Sequence, residues 1–478
     1  MRCSSSPRCS CRRRAARSCR LLELSDGAVL LETGEPHEIA AALSEARPVG
    51  LFDVVPGART LLVLFDPERF DKAQLARLSA ARARIEPRTV RLRARYDGAD
   101  LDPLAAELGV GRAQLIQRHV AEEHRVAFLG FAPGFPYMTG GFAVPRLKTP
   151  RVRVPAGSLA VADGWTGIYP AETPGGWRLL GRVAERMFDP LRSPPSLLRP
   201  GDRVLLEPVE ELPQLPPPER PRQEGEPLLR VVAPGAFTAV QGGPRYGMSA
   251  FGVPAGGAMD LASLASANAA VGNAAGAAGL EITLAGPELE ALADVRLALR
   301  GEVRELRRGE RLRCGPVQQG AREYLAVAGG LLPPLLGEPT RALKPGDELL
   351  RARHPPPEGR KPPTPGSGEI RARRGPQWDF FAEPRQFFSS EWTLSPQSDR
   401  RGLRLVGAPL PILKRADIPP EGTAPGSVQV PGDGLPIALG PDRPVTGGYV
   451  KIATVLWDDL PLLAQARPGA RLRFREMA

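Results

Sequence analysis

Histidine, lysine and cysteine are all scarce in this 478-residue chain, and each scarcity closes off some chemistry. The four histidines, His37, His119, His124 and His354, are too scattered to nominate a metal site, and none is proposed. Of the five cysteines, Cys3, Cys9, Cys11 and Cys19 fall in the first 20 residues, which leaves Cys314 alone in the rest. That excludes an internal disulfide beyond the first segment and fits a reducing, cytoplasmic setting. The only close pair, Cys9 and Cys11, lacks zinc-site spacing. Aromatic residues make up 5%, too few for the stacking platforms of single-strand nucleic-acid binders. The longest apolar run, Leu325 to Leu336, is 12 residues broken by two Gly and two Pro, short of the roughly 20 a membrane helix needs. Gly-Lys-Ser/Thr, HExxH and CxxC are missing, so no ordinary P-loop, zincin or dithiol motif is present. No Lys follows a Met, so the chain has no Met-Lys acceptor for covalent biotin.

The net charge of +11 points first to nucleic acid or an anionic surface. Seven of those charges are arginines in residues 1–20, which hold no acid, and only +4 remains elsewhere. Nucleic acid and membrane are therefore not expected partners. The basic segment lacks the apolar stretch of a secretory signal. Residues 1–20 read as a disordered leader or a start-site artefact, outside the fold.

What is abundant is Gly (52) and Pro (54), which favours many turns and β structure. Residues 21–210 form a first unit. The segment 211–227, ELPQLPPPERPRQEGEP, reads as a stiff linker, and 228–478 forms a second unit with an internal break at 352–369. Helical spacing is confined to HEIAAALSEA from His37, a stretch from Asp71 to Ile85, two short helices between Asp100 and Glu122, and LASLASANAAV behind Asp260, which can cap it. A repeated order supports duplication. VPAGSLAV from Val154, TPGGWRLLGRV from Thr173 and RPGDRVLL from Arg199 match VPGDGLPIAL from Val430, VTGGYVKIATV from Val445 and RPGARLRF from Arg467. Pro-Gly supplies a turn and the apolar run after it enters a sheet, so two related, closed or nearly closed β units are expected.

Candidate chemistry sits in glycine-rich backbone beside isolated polar groups. GFAPGFPYMTGG, from Gly130, either frees N–H groups to cradle oxygens or is a tight turn packing Phe131, Phe135 and Tyr137. Alternation puts Arg151 and Arg153 on one strand face, either to hold an acidic ligand or as a solvated edge. Thr173-Pro174-Gly175-Gly176-Trp177 and Thr446-Gly447-Gly448-Tyr449 each join a hydroxyl, backbone donors and an aromatic ring. Lys451 lies two residues beyond the second of these.

Taken in order, these segments resemble a known family. YDGADLDPLAAELG, His119, GFAPGFPYM, PRLKTPRVRVPAGS, TGIYPAETPGGW, LLGR and RPGD are similar to the B-type subunit of bacterial ATP-dependent 5-oxoprolinase, also described as allophanate hydrolase subunit 1 and as a kinase inhibitor. GVPAGGAMD, LEITLAGPEL, REYLAVAGG, RRGPQWDFF, SDRRGLRLVG, PGSVQVP, GLPIAL and VTGGYVKIA are similar to the C-type subunit, the allophanate hydrolase subunit 2 type. The same pair resembles the carboxyltransferase region of urea carboxylase. The chain departs from the pattern at Gln241 to Arg245, at Gly337 to Thr340 and at Pro420 to Gly422.

The resemblance implies a mainly β (α+β) fold of two tandem cyclophilin-like barrel modules with a few peripheral helices. It implies ATP-dependent opening of 5-oxo-L-proline to L-glutamate, with ATP and Mg2+ as cofactors and an A-type 5-oxoprolinase subunit, of the lactam-utilisation type, as partner. Self-association is compatible with it. Alternatives are biotin-dependent carboxyl transfer and non-enzymatic kinase regulation. Candidate catalytic groups are His119, Lys451, Asp442 and Glu421, the two carboxylates as acid/base or metal-orienting groups. Candidate binding groups are Tyr137, Arg151 and Arg153, with the Thr173–Trp177 and Thr446–Tyr449 elements binding oxygen atoms.

Overall fold

The computed structural model describes residues 20–78, 87–216, 224–354, 356, 360–364, 368–414 and 416–477. Residues 1–19 of the expected leader 1–20, residues 217–223 of the expected linker and parts of the 352–369 break lie outside the described residues, whereas Arg20 opens the first strand.

The first 46 described residues form a layer of their own: strands β1 (Arg20–Ser25) and β2 (Ala28–Glu32), helix α1 (Pro36–Ala46), then β3 (Leu51–Pro56) and β4 (Thr60–Phe65), in sheet order β1-β2-β4-β3. Side chains alternate across a strand, and here both faces are apolar. Val29, Leu31, Leu61, Val63 and Phe65 pack with Ile39 and Leu43 of the helix. Leu30, Leu62 and Leu64 pack on Ala424 and Val445, nearly 400 residues away. Within the first unit, residues 20–65 are thus a layer outside the barrel itself. A sheet with two apolar faces needs two partners, and this one takes the second unit as its other cover.

The first barrel comprises β5 (Thr89–Arg95), β6 (His124–Leu129), β7 (Pro136–Met138), β8 (Ser158–Ala162), β9 (Trp165–Ile168), β10 (Arg178–Val183) and β11 (Arg203–Pro208). They close in the order β9-β7-β6-β11-β5-β10-β8. The second comprises β12 (Ile370–Arg374), β13 (Glu391–Leu394), β14 (Gly402–Val406), β15 (Ser427–Val430), β16 (Ile437–Leu439), β17 (Thr446–Val455) and β18 (Arg471–Met477). Their order is β16-β14-β13-β18-β12-β17-β15, closed by pairing of β15 with β16, and β12 joins β17. Raising every label of the first ring by seven yields the second. The parallel pair recurs as well, β5 with β11 and β12 with β18. Duplication is thus a property of the topology.

One register in the expected repeat is corrected. VPAGSLAV leads into β8, and its counterpart is APGSVQV leading into β15, not VPGDGLPIAL. Gly157 and Gly426 turn at φ of 81° and 77°, and their carbonyls accept from Val183 N (2.8 Å) and Val455 N (2.9 Å). Only glycine takes such a left-handed turn without strain.

Between the barrels, residues 227–350 form a four-stranded and a five-stranded sheet around a shared core that includes Leu229, Leu280, Leu297 and Leu325. Helix α2 (Leu261–Ala270) flanks it, capped as expected by Asp260, which accepts from Ser263 N at 2.9 Å. The expected helices before residue 123 are present at Leu101–Glu107 and Arg112–Ala121. The one behind Asp71 is described over Ala73–Leu78, and its remainder lies outside the described residues.

Candidate functional site

Each barrel carries a two-stranded arm, and the arms hold the two glycine motifs. Beside the first barrel, Arg151–Val154 pairs with Thr173–Gly175, Thr173 facing Val154 and Gly175 facing Arg151. Beside the second, Asp417–Gly422 pairs with the start of β17, Gly422 facing Thr446 and Glu421 facing Gly447. The two threonines and their glycines therefore occupy matching places in the two halves.

The halves meet at these arms. Thr446 Oγ1 accepts from the backbone N–H of Phe131 at 3.2 Å. Gly130 has no alternative at its position, because a Cβ there would sit 1.8 Å from the Thr446 hydroxyl oxygen. Phe131 takes φ of 64°, a left-handed conformation that is unfavourable for an aromatic residue and marks a constrained site. Its ring touches Phe135 edge-on, and Phe135 touches both Tyr137 and Trp177. The GFAPGFPYM segment is thus both a tight turn and the aromatic link between the two arms.

Behind the second arm lies a buried polar cluster. Lys451, fully inaccessible on β17, forms an ion pair through Nζ with Glu421 Oε1. Gln377 spans the pair: its Nε2 donates to Glu421 Oε1 at 2.9 Å and its Oε1 accepts from Lys451 N at 3.0 Å. Gln429, the cross-strand partner of Lys451, lies against Gly447, where a Cβ would come within 2.4 Å of its Nε2. That Nε2 has no hydrogen-bond partner among the described residues. Unpaired buried donors are costly, and each calls for an explanation. The cluster therefore offers a cation and an amide donor close to the glycine backbone, with a carboxylate that keeps the charge balanced. Gln377 and Gln429 escape the sequence reading. Their signal is a lone amide inside otherwise apolar runs, as in Val428-Gln429-Val430.

Other candidates stand elsewhere. Asp442 is bound in two-pronged fashion by Arg400, at 2.8 and 3.0 Å. Arg400 also holds Glu281 and donates to Gly257 O at 2.6 Å. Burial would lower the Arg400 pKa, but Glu281 and Asp442 outweigh it and hold the guanidinium protonated. Arg400 thus ties the second barrel to the central sheets, and Asp442 holds Arg400 in place. His119 is fully buried, with Nδ1 2.9 Å from Tyr96 Oη and Nε2 3.0 Å from Thr166 Oγ1. Burial, with a smaller contribution from His124, pushes its pKa well below the usual value, so it stands neutral in the barrel core.

Tyr137 is stacked on Phe128 with ring centres 4.4 Å apart, and burial raises its pKa to about 12. The arginines that were expected to share an acidic ligand each have an acid of their own. Arg151 donates to Asp100 at 2.7 Å, and the exposed Arg153 pairs with Glu172 at 2.6 Å. Gly175 makes room for the Tyr169 hydroxyl, 2.2 Å from a would-be Cβ, and Gly176 O accepts from Leu147 N at 2.7 Å. Trp177 is buried among the aromatic rings, and Tyr449 is partly exposed at the outer end of its arm. Two of the segments that depart from the family pattern touch each other, Gln241 Nε2 donating to Thr340 Oγ1 at 3.1 Å.

Comparison with known proteins matches this division. Residues 12–198 fit the model of the carboxyltransferase domain, subdomain C and D, and residues 251–476 that of subdomain A and B. The C-type subunit of 5-oxoprolinase from Escherichia coli K12 is 36% identical over 283 residues, covering 52% of this chain and 90% of that protein. The B-type subunit from Escherichia coli O157:H7 is 37% identical over 171 residues, covering 33% of this chain and 78% of that protein. The crystal structure of TTHA0988 superposes with a TM-score of 0.81 at 36% identity, over 94% of this chain and 99% of that one. With each half similar to a different 5-oxoprolinase subunit and both joined in TTHA0988-like fashion, the chain belongs to the carboxyltransferase-domain family that includes the B-type and C-type subunits of 5-oxoprolinase.

Proposed function

We propose that the chain is the fused B/C component of an ATP-dependent 5-oxoprolinase, activating 5-oxo-L-proline for ring opening to L-glutamate together with a separate A-type subunit. The observation that supports this most directly is the seam, where the glycine arm of the C-like half is bonded to the Gly130–Phe131 turn of the B-like half. One chain thereby assembles what the relatives divide between two subunits.

A lactam carbonyl is a poor electrophile. Phosphorylating its oxygen makes the ring carbon open to water; the C–N bond then breaks to leave an acyl phosphate, and a second water releases phosphate. One ATP and two waters thus yield glutamate, ADP and phosphate. Each stage places negative charge on oxygen, which preorganised donors stabilise. Lys451 would neutralise that charge, with Gln429 Nε2 and the Thr446–Gly448 backbone as further donors. Glu421 and Gln377 orient the lysine. The same groups and the Thr173–Gly176 arm would hold the phosphates of ATP. Among the described residues no group of three or more His, Cys, Asp and Glu is gathered for a metal, so Mg2+ would arrive on the phosphates.

The test is ATP hydrolysis by the purified chain, with and without 5-oxoproline and an added lactam-utilisation subunit. The expected result is 5-oxoproline-dependent ADP formation, with glutamate appearing only when the partner is present. The carboxyltransferase description of both halves favours one second reading, transfer of a carboxyl group from biotin carried on another protein. Carboxyl transfer from free carboxybiotin, with no ADP formed, would select that reading instead.

A further inference from the structure

A pocket lies between the central sheets and the second barrel, and none of the groups described above explains it. Its wall is mostly apolar, with Met259 from one side and Leu403, Leu439 and Leu460 from the other. Tyr246 and Arg443 interrupt that lining. Arg443 is 1% exposed, immediately follows Asp442 and has no ion-pair partner among the described residues. Its Nε donates to Thr423 O at 2.8 Å, and neither terminal nitrogen donates to any described residue. The carboxylate next to it in sequence is taken by Arg400. Burial lowers its pKa to about 10, which still leaves it charged at neutral pH. Trp457, also in the wall, has an indole N–H without an acceptor among the described residues.

The carboxylates whose charge acts on Arg443, Asp53 and Asp442, are bonded elsewhere, to Ser249 and to Arg400, and a buried arginine that makes no direct ion pair gains from a ligand that supplies one. The polar side chains named here are donors facing an apolar space, the pattern of a small-ligand site in which a few polar groups fix orientation. We propose that this pocket is a carboxylate subsite: a small organic acid enters with its carboxylate on the Arg443 guanidinium and its apolar body against Met259, Leu403 and Leu439. The planar guanidinium matches a carboxylate in shape and in donor spacing. A single cation in an apolar wall suits one negative charge and a hydrocarbon body better than a polyphosphate. The class of ligand follows from the pocket alone. That the acid is 5-oxoproline rests on the function proposed above.

The experiment is calorimetric titration of the full chain with four probes: 5-oxo-L-proline, 2-pyrrolidone (the same ring without its carboxylate), isobutyrate and inorganic phosphate. The expected result is saturable binding of 5-oxoproline that weakens about tenfold to a hundredfold in Arg443→Gln, as for loss of a charged hydrogen bond. Binding of 2-pyrrolidone should be equally weak to both proteins. Unchanged 5-oxoproline affinity in a folded Arg443→Gln overturns the subsite and leaves the proposed function standing. Arg443-dependent binding of isobutyrate without binding of 5-oxoproline upholds the subsite and removes 5-oxoproline as its ligand. Arg443-dependent binding of phosphate alone, or no binding by any probe, overturns the subsite. If Arg443→Gln fails to fold, phenylglyoxal labelling of the unsubstituted chain replaces it. Protection of Arg443 by 5-oxoproline or isobutyrate supports the assignment, and equal labelling with and without them overturns it.

Discussion

The two barrels share one strand order and differ in what they place at the same point. In the first, Ala160 on β8 faces Leu179 on β10, and both join a cluster of Phe128, Phe135, Tyr137, Tyr169 and Trp177. In the second, counting from the aligned serines Ser158 and Ser427, the corresponding facing pair is Gln429 and Lys451. A hydrophobic plug thus stands where its duplicate has a buried ion pair and two amides. The ring itself tolerates either filling, because its backbone hydrogen bonds are made regardless of side chain. The difference puts buried charged groups in the second barrel and an apolar filling in the first, whose Phe131 turn is pressed onto Thr446.

The largest test of that difference is to carry the chemistry of the first barrel into the second. Lys451→Leu leaves Glu421 buried without its cation and should cost about 3–5 kcal/mol in denaturant unfolding. Adding Glu421→Gln should recover more than half of that loss, because no uncompensated charge remains. Neither protein should turn over ATP with 5-oxoproline. Full activity in either would remove the pair from the site.

Next in size is the seam. Gly130→Ala drives a methyl group into Thr446 and should cost about 1–3 kcal/mol, as overpacking does. Thr446→Ala in the same chain should restore most of the stability. Strict additivity of the two changes in a double-mutant cycle would mean that the halves do not press on each other there.

A smaller effect concerns pH. The folded His119 has a pKa well below its ordinary value of about 6.5, so the unfolded chain takes up that proton first. Its contribution to stability is whole above pH ~6.5 and is lost as the pH falls, by at most about 1.4 kcal/mol per unit. His37, lowered by burial to about 4, acts with the same sign. Asp53, raised by burial to about 6, acts with the opposite sign: its contribution is present below pH ~4 and lost as the pH rises through 6. Comparing unfolding at pH 7 and pH 5 in the parent and in His119→Gln isolates the histidine. The variant should lose less stability on acidification, and equal losses would contradict the buried neutral imidazole.

The smallest effect separates the two arginines of the first arm. Arg153→Ala breaks an exposed pair with Glu172 and should change stability by less than about 1 kcal/mol. Arg151→Ala strips the cation from the buried Asp100 and should cost more, with reduced turnover if the arm must stay in register. Equal effects would show that the first arm has no stabilised side.

Much of this was readable in the residues. Asp260 before an apolar helical stretch announces its cap, Pro-Gly before apolar runs announces the strands, and the matching glycine motifs announce the duplication. Lys451 and Glu421 stand out as isolated charges in apolar segments. The register of the repeat is ambiguous at Val430 because a Pro-Gly turn occurs at both ends of β15, and local sequence does not say which turn corresponds to Gly157. Arg151 and Arg153 look equivalent because strand alternation places them alike, whereas their partners come from 51 and 19 residues away.

Short-range features follow from the residues alone: the turns, the caps, the apolar periodicity and, through ordered motifs, the family. These depend on backbone preference and side-chain pattern within a few residues. Long-range packing sets the rest: residues 20–65 cover the second barrel, Lys451 meets Glu421 and Gln377, and Arg443 lines a pocket with no ion pair of its own among the described residues. Each depends on which distant surfaces exclude water together. Burial turns an ordinary charge into one that must find a partner, and that partner is set by the packed fold.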